Sequence, residues 1–110
     1  MARSWRRREA ERAERATRRA QAFFAALPDA RCLLSERYGA TCVILFGSLA
    51  DGTYRDTSEV NLAVEGLPSS SYFAALTDLM TLFGGGVDLV RLEDASPSLK
   101  DRILAEGRRL

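Results

Sequence analysis

The stretch Leu45–Val64 reads LFGSLADGTYRDTSEVNLAV, and it decides how the rest of the chain is interpreted. An apolar run ends at Gly47-Ser48, a polar loop follows, and an alternating run then carries Glu59 and Asn61. Because residues i and i+2 of a strand share a face, the side chains of Glu59 and Asn61 are predicted to be neighbours. Gly47 would let a ligand approach the backbone, and free N–H groups at a helix start attract anions. The stretch predicts a phosphate-binding turn beside metal-ligating side chains, although Gly-Ser alone is also typical of an ordinary turn.

The flanking segments predict a succession of helices and strands. Pro28 and Asp29 are expected to break or kink the first helix and to begin a second one, which Gly39 ends. The order of the elements indicates an α/β (α+β) fold: a small mixed β-sheet with helices packed mainly on one face, plus an N-terminal helical arm. We predict an Arg-rich arm over residues 1–28 and a folded domain over residues 29–110. The predicted elements are helices 5–27 and 28–38, strands 41–46 and 59–64, helix 72–83, strand 87–91 and a last helix over 97–106.

Hydrophobic periodicity predicts which side chains form the core. Glu59, Asn61 and Ala63 are expected on the face of their strand that points away from the core. The positions predicted to pack inward are Ala13, Ala16, Ala20, Phe23, Phe24, Leu27, Ala30, Leu33, Leu34, Tyr38, Val60, Leu62, Val64, Tyr72, Phe73, Leu76, Leu79, Met80, Phe83, Leu99, Ile103 and Leu104.

A third carboxylate is predicted to join this pair from another strand. Asp88 points opposite to Val87 and Leu89, so on a neighbouring strand it can face the same side as Glu59 and Asn61. Oxygen ligands and substrate phosphates are what Mg²⁺ prefers. Two such ions about 4 Å apart can activate a nucleophile and stabilise a leaving pyrophosphate.

At this point the sequence resembles a known family. The signature of the minimal nucleotidyltransferases, small relatives of DNA polymerase beta, is Gly-Ser, a spaced Gly, and Ser-Asp-x-Asp-Leu. Asp88 matches the third carboxylate of that family, and Leu99–Leu110 is similar to its final helix. The resemblance covers roughly residues 30–110. Its central motif reads Gly47-Ser48-x3-Gly52-x5-Ser58-Glu59-x-Asn61-Leu62.

The resemblance implies a function as well as a fold. Family members often serve as antitoxins encoded beside a HEPN-domain toxin, and some transfer AMP from ATP to a tyrosine of that toxin. It therefore implies ATP and Mg²⁺ as cofactors and a HEPN-type toxin as partner. The implied nucleotide-binding residues are Gly47, Ser48, Arg55 and Ser58, and the implied metal-binding and catalytic residues are Glu59, Asn61 and Asp88.

This chain departs from the family signature at both motif aspartates. Glu59 keeps a carboxylate but adds a methylene, and Asn61 keeps the shape of Asp without its charge. The loop after Gly-Ser lacks the cations of many relatives, and Arg55 alone is predicted to supply one nearby. Losing one such electrostatic element often costs about 10²-fold or more in rate. We therefore predict an antitoxin-like binding protein with little or no transferase activity. The alternative is an active enzyme that transfers AMP from ATP to a protein hydroxyl with Mg²⁺.

Composition limits the remaining function classes. A chain of 110 residues with 46% hydrophobic content is expected to form one globular domain. Cys32 and Cys42 are too few for a disulfide framework, so we predict two reduced core thiols in a cytoplasmic protein. Since no run of about 18 apolar residues occurs, no membrane-spanning segment is predicted.

Charge is distributed unevenly along the chain. Residues 1–19 hold eight Arg and three Glu, a net charge of +5, whereas residues 20–110 carry a net charge of −4. The basic start has three interpretations: a solvated, salt-bridged helix face, a docking arm for an acidic partner protein, or a weakly supported nucleic-acid contact. The arm and the small size together suggest a hetero-oligomer.

Overall fold

The computed structural model describes residues 2–110, with side chains from residue 5 onward. Met1, the first residue of the predicted arm, lies outside the described residues. Helix α1 runs over Ala2–Cys32 and continues into a π-helical turn at Leu33–Arg37. The predicted break at Pro28, with a second helix beginning there, is therefore wrong.

Burial on both sides explains why α1 continues through Pro28. A proline inside a helix costs about 3 kcal/mol, because it removes one hydrogen bond and crowds the preceding turn. Leu27 and Leu34 flank it and are 7% and 0% exposed, respectively. Each buried leucine contributes roughly 1.5–3 kcal/mol, so tertiary packing outweighs the local penalty.

The strands form a mixed sheet, as predicted, and the sheet has four strands where the sequence indicated three. Its order is β3-β2-β1-β4, in which β2 pairs parallel with β3 and antiparallel with β1, and β4 pairs antiparallel with β1. The strands are β1 Cys42–Phe46, β2 Val60–Glu65, β3 Val87–Arg91 and β4 Arg108–Arg109. The remaining helices are α2 Ser48–Asp51, α3 Tyr72–Phe83 and α4 Pro97–Glu106, with 3₁₀ turns at Ser69–Ser71 and Leu92–Asp94.

Strand β4 was not predicted, since the last segment was expected to be only a helix. Helix α4 ends before Gly107, and the chain then lies along β1, where the Leu110 N–H donates to the Val43 carbonyl at 2.8 Å. A strand of two residues is too short to show an alternating pattern in the sequence. Their conformation is set by pairing with β1, which is a tertiary contact.

The two faces of the sheet carry unequal cores. Helices α1 and α3 cover the larger one, which includes Leu45, Leu62 and Val64. A smaller cluster on the opposite face contains Ile44, Ala63, Leu92 and Ile103 and is covered in part by α4. The helices thus pack mainly on one face, as predicted, while Ala63 is fully buried although it points away from the larger core.

Several predicted core positions are exposed, because each helix buries a narrower stripe than its apolar content suggests. Helix α3 buries Ala75, Leu79 and Phe83, which are one turn apart, and leaves Phe73 77% exposed. Met80, Leu104 and Ala13 were likewise expected in the core and are exposed.

The structure also tests the predicted burial of the two cysteines and the prediction that no segment spans a membrane. Cys32 and Cys42 are both free, but Cys32 is exposed and Cys42 is half-buried, so the prediction of core thiols is wrong for Cys32. Within residues 2–110, no helix is both long and apolar enough to cross a membrane.

Candidate functional site

The turn between β1 and α2 has the backbone geometry that the sequence indicated. Gly47 adopts φ +76° and ψ −155°, a region that is essentially restricted to glycine, and it immediately precedes α2. Its carbonyl accepts the N–H groups of Ala50 and Asp51 at 3.0 and 3.1 Å. The first N–H groups of a helix have no acceptor within the helix, so this turn offers donors to an anion.

A hydroxyl-centred network joins this turn to the following loop. The Ser48 hydroxyl donates to Ser58 Oγ at 3.1 Å, and the Arg55 N–H donates to the same oxygen at 2.7 Å. The structure therefore brings Ser48 and Ser58 together beside Gly47, whereas Arg55 takes part through its backbone N–H and not through the guanidinium that was predicted to supply a cation. At the base of the loop, the Thr53 hydroxyl and N–H donate to the Asp51 carboxylate and hold the pKa of Asp51 below its usual value.

The strand register brings the candidate metal ligands together. Asn61 on β2 lies opposite Asp88 on β3, and Glu59 precedes β2 by one residue. Asn61 also lies directly over the turn: a Cβ on Gly47 would be only 2.3 Å from Asn61 Nδ2. Asn61 is half-buried, whereas Glu59 and Asp88 are exposed. The neutral amide thus occupies the centre of the candidate site, between the turn and the Asp88 carboxylate.

Arg19 of α1 reaches the same end of the sheet. A Cβ on Gly86 would be 3.0 Å from Arg19 Nη2 and 3.9 Å from Glu59 Cγ, so the Arg19 and Glu59 side chains converge on Gly86. The Arg19 guanidinium carbon also lies 5.0 Å from the Phe23 ring centroid. Sequence reasoning missed Arg19, because it counted this residue only in the basic arm and named Arg55 as the nearby cation. The signal available in sequence was the spacing of four residues between Arg19 and a core phenylalanine.

A cavity of about 200 Å³ opens beside the turn and is walled by α4. It places Arg102, another residue that the sequence did not single out, near Gly47 and Asp51. The lining residues are Phe46, Gly47, Asp51, Leu99, Arg102, Ile103 and Glu106.

The donor set does not fit a site for two magnesium ions. Across residues 2–110, no three His, Cys, Asp or Glu side chains are grouped so that they could hold a metal ion. Glu59 and Asp88 provide two carboxylates, and Asn61 between them provides a neutral amide. Two dications with substrate phosphates need hard anionic ligands for charge neutralisation, and this arrangement lacks the central one.

These features agree with the comparison with protein families. The family model described as polymerase beta, nucleotidyltransferase, matches residues 32–110, and the chain belongs to that family. A solved structure assigned as a minimal nucleotidyltransferase is 31% identical, with a TM-score of 0.64 over 87% of this chain and 95% of that one. No curated protein sequence matches the chain.

Two further solved structures share the fold at lower identity. A toxin–antitoxin structure with AMP-PNP is 24% identical, with a TM-score of 0.64 over 74% of this chain and 69% of that one. A tri-AMPylated Shewanella oneidensis HEPN toxin in complex with an MNT antitoxin gives a match at 20% identity, with a TM-score of 0.51 over 86% and 70% of the two chains. Both likenesses show that the chain shares the fold of these structures.

Proposed function

We propose that this chain is an antitoxin-type nucleotidyltransferase-fold protein that binds a HEPN-type toxin and neutralises it by binding, with little or no transfer of AMP. The family assignment and the toxin–antitoxin complexes that share the fold support the antitoxin part. We further propose that it acts in the cytoplasm, where Cys32 and Cys42 would stay reduced.

One observation carries the proposed loss of transfer. Asn61 stands between the Gly47 turn and Asp88, where charge neutralisation of a triphosphate and its metal would be needed. An amide oxygen there contributes no negative charge. Glu59, one methylene longer than Asp, would carry its oxygens about an ångström from the position of the shorter side chain, and misplacement of that size can cost about 10²-fold in rate.

The decisive experiment separates binding from chemistry with one substitution. The HEPN-type protein is co-expressed with the parent chain and with Asp88→Asn, which removes a carboxylate from the exposed strand position and leaves the core intact. If neutralisation occurs by binding, both chains protect cells equally and the toxin keeps its unmodified mass. If Asp88→Asn abolishes protection and the parent chain leaves an AMP adduct on the toxin, the proposal is wrong.

The second candidate function is the active enzyme that transfers AMP from ATP to a hydroxyl of the toxin. It is favoured by the retained Gly47-Ser48 turn and by the carboxylate of Asp88 in register with position 61. The double change Glu59→Asp/Asn61→Asp restores the family signature and provides the reference. If the parent chain transfers AMP at the rate of this restored chain, the result favours the enzyme over the binding protein.

A further inference from the structure

The position of Arg19 relative to the candidate site is fixed by the buried face of α1. Phe23 is 5% exposed and meets the Phe83 ring edge-on at 5.9 Å between centroids. Ala16 and Ala20, on the same face, are 7% and 2% exposed. The helix around Arg19 is therefore packed against the domain, and Arg19 is not part of a loosely attached arm.

The Arg19 guanidinium forms no ion pair within 4.0 Å among the described residues, although the Glu59 side chain lies beside the same glycine. Phe23 provides a cation–π contact at 5.0 Å, which orients the group but leaves its charge intact. Among the described residues, ion pairs within 4.0 Å join Arg37 to Asp78 and Arg91 to Asp94, and Arg19 is in neither. Its N–H donors are thus available to an anion at the end of the sheet.

Arg19 lies beside the backbone at which β2 and β3 begin. Gly86, with φ +60°, presents no side chain, so the guanidinium can lie against the backbone that precedes β3. The Gly86 carbonyl accepts the Val60 N–H at 2.7 Å, which fixes this backbone to the start of β2 beside Glu59. A guanidinium binds phosphate through two parallel hydrogen bonds, with more directional specificity than a point charge.

We propose that Arg19 is a nucleotide-binding residue, whose guanidinium contacts the polyphosphate of a nucleoside triphosphate held at the Gly47-Ser48 turn and supplies the positive charge that a metal ion would otherwise supply. This inference rests on the nucleotide site of the proposed function and adds to it a ligand class and a mode of charge neutralisation. It follows because Glu59, Asn61 and Asp88 do not provide the ligands that two magnesium ions need. Binding of ATP to this chain should therefore persist when divalent ions are removed.

The test is a calorimetric titration of the full chain with ATP, in EDTA and again in Mg²⁺. The parent chain is expected to bind in both buffers with similar affinity. Arg19→Gln should weaken binding in EDTA by about tenfold to a hundredfold, the usual effect of losing hydrogen bonds to a charged group. Arg18→Gln removes the same charge from the neighbouring, exposed position of α1 and should bind like the parent.

A further variant distinguishes binding from a structural role. Arg19→Lys keeps the charge without the planar fork and should give an affinity between those of the parent and Arg19→Gln. Without nucleotide, Arg19→Lys should unfold at a temperature similar to that of Arg18→Gln, whereas Arg19→Gln should unfold slightly lower because it loses the cation–π contact with Phe23.

Three results would overturn the inference: no ATP binding by the parent, binding only with Mg²⁺, or equal affinity of Arg19→Gln and Arg18→Gln. None of these decides whether the chain neutralises a toxin, which is read from cell survival and toxin mass. Failure of this inference is therefore distinguishable from failure of the proposed function.

Discussion

Replacing Gly47 by alanine tests the geometry of the candidate site directly. The backbone at this position, with φ +76° and ψ −155°, should cost an alanine about 1–3 kcal/mol. The new Cβ would also lie 2.3 Å from Asn61 Nδ2, so the amide must leave its position. Driving a side chain off its rotamer costs about 0.5–1.5 kcal/mol. Gly47→Ala is therefore expected to lower the free energy of unfolding by about 1.5–4.5 kcal/mol.

Gly52→Ala is the matched control, because Gly52 ends the same one-turn helix that Gly47 precedes. Gly52 has φ +83° and ψ 8°, and a Cβ there meets no atom within 4 Å. Left-handed backbone alone costs an alanine about 1–2 kcal/mol. The double variant Gly47→Ala/Asn61→Ala removes the overlap but not the backbone cost, so the Gly47 substitution should be less destabilising in that background.

The assay is urea unfolding monitored by circular dichroism. The variants are compared with a common slope of the unfolding free energy against urea concentration. A loss of stability for Gly47→Ala no larger than that for Gly52→Ala would contradict this prediction. So would a Gly47 substitution that is equally destabilising with Asn61 and with Ala at position 61. In either case Asn61 would not be held against the turn.

Two other predictions concern the core and an exposed carboxylate. Leu79→Ala should destabilise the domain by about 2–5 kcal/mol in urea unfolding, whereas Phe73→Ala on the exposed side of α3 should change stability by about 0.5 kcal/mol or less. The Gly66 N–H donates to the Glu93 carboxylate at 2.9 Å and lowers the pKa of Glu93. Because the folded pKa lies below the unfolded value of about 4.3, this bond stabilises the fold fully above that pH and is lost as the pH falls through the folded pKa. Glu93→Gln should thus reduce the loss of stability in acid by a small amount, and equal acid sensitivity of both chains in thermal melts would contradict this.

The neighbourhood of Asn61 and Asp88 could be predicted because strand periodicity is local. Alternation assigns each residue to a face, and the family resemblance supplied the pairing of the two strands. Gly47 was identified by its place in the family motif, because a Gly-Ser pair after an apolar strand is also typical of an ordinary turn. These inferences needed only neighbouring residues and one motif.

Arg19 and strand β4 could not be predicted, because they depend on contacts between distant segments. The one sequence signal for Arg19 is its spacing of four residues from Phe23, and that spacing does not indicate that the packed helix directs the guanidinium toward Gly86. Strand β4 exists because β1 has a free edge to pair with. Pro28 illustrates the opposite error, in which a strong local signal is outweighed by burial around it.

We propose that the chain neutralises its partner by binding and does not modify it. The most direct measurement is the intact mass of the HEPN-type protein after incubation with the chain, ATP and Mg²⁺, with toxin activity measured in the same sample. We expect an inhibited toxin of unchanged mass, while Glu59→Asp/Asn61→Asp adds AMP to it. A toxin that gains AMP from the parent chain at the rate of this restored variant would contradict the claim.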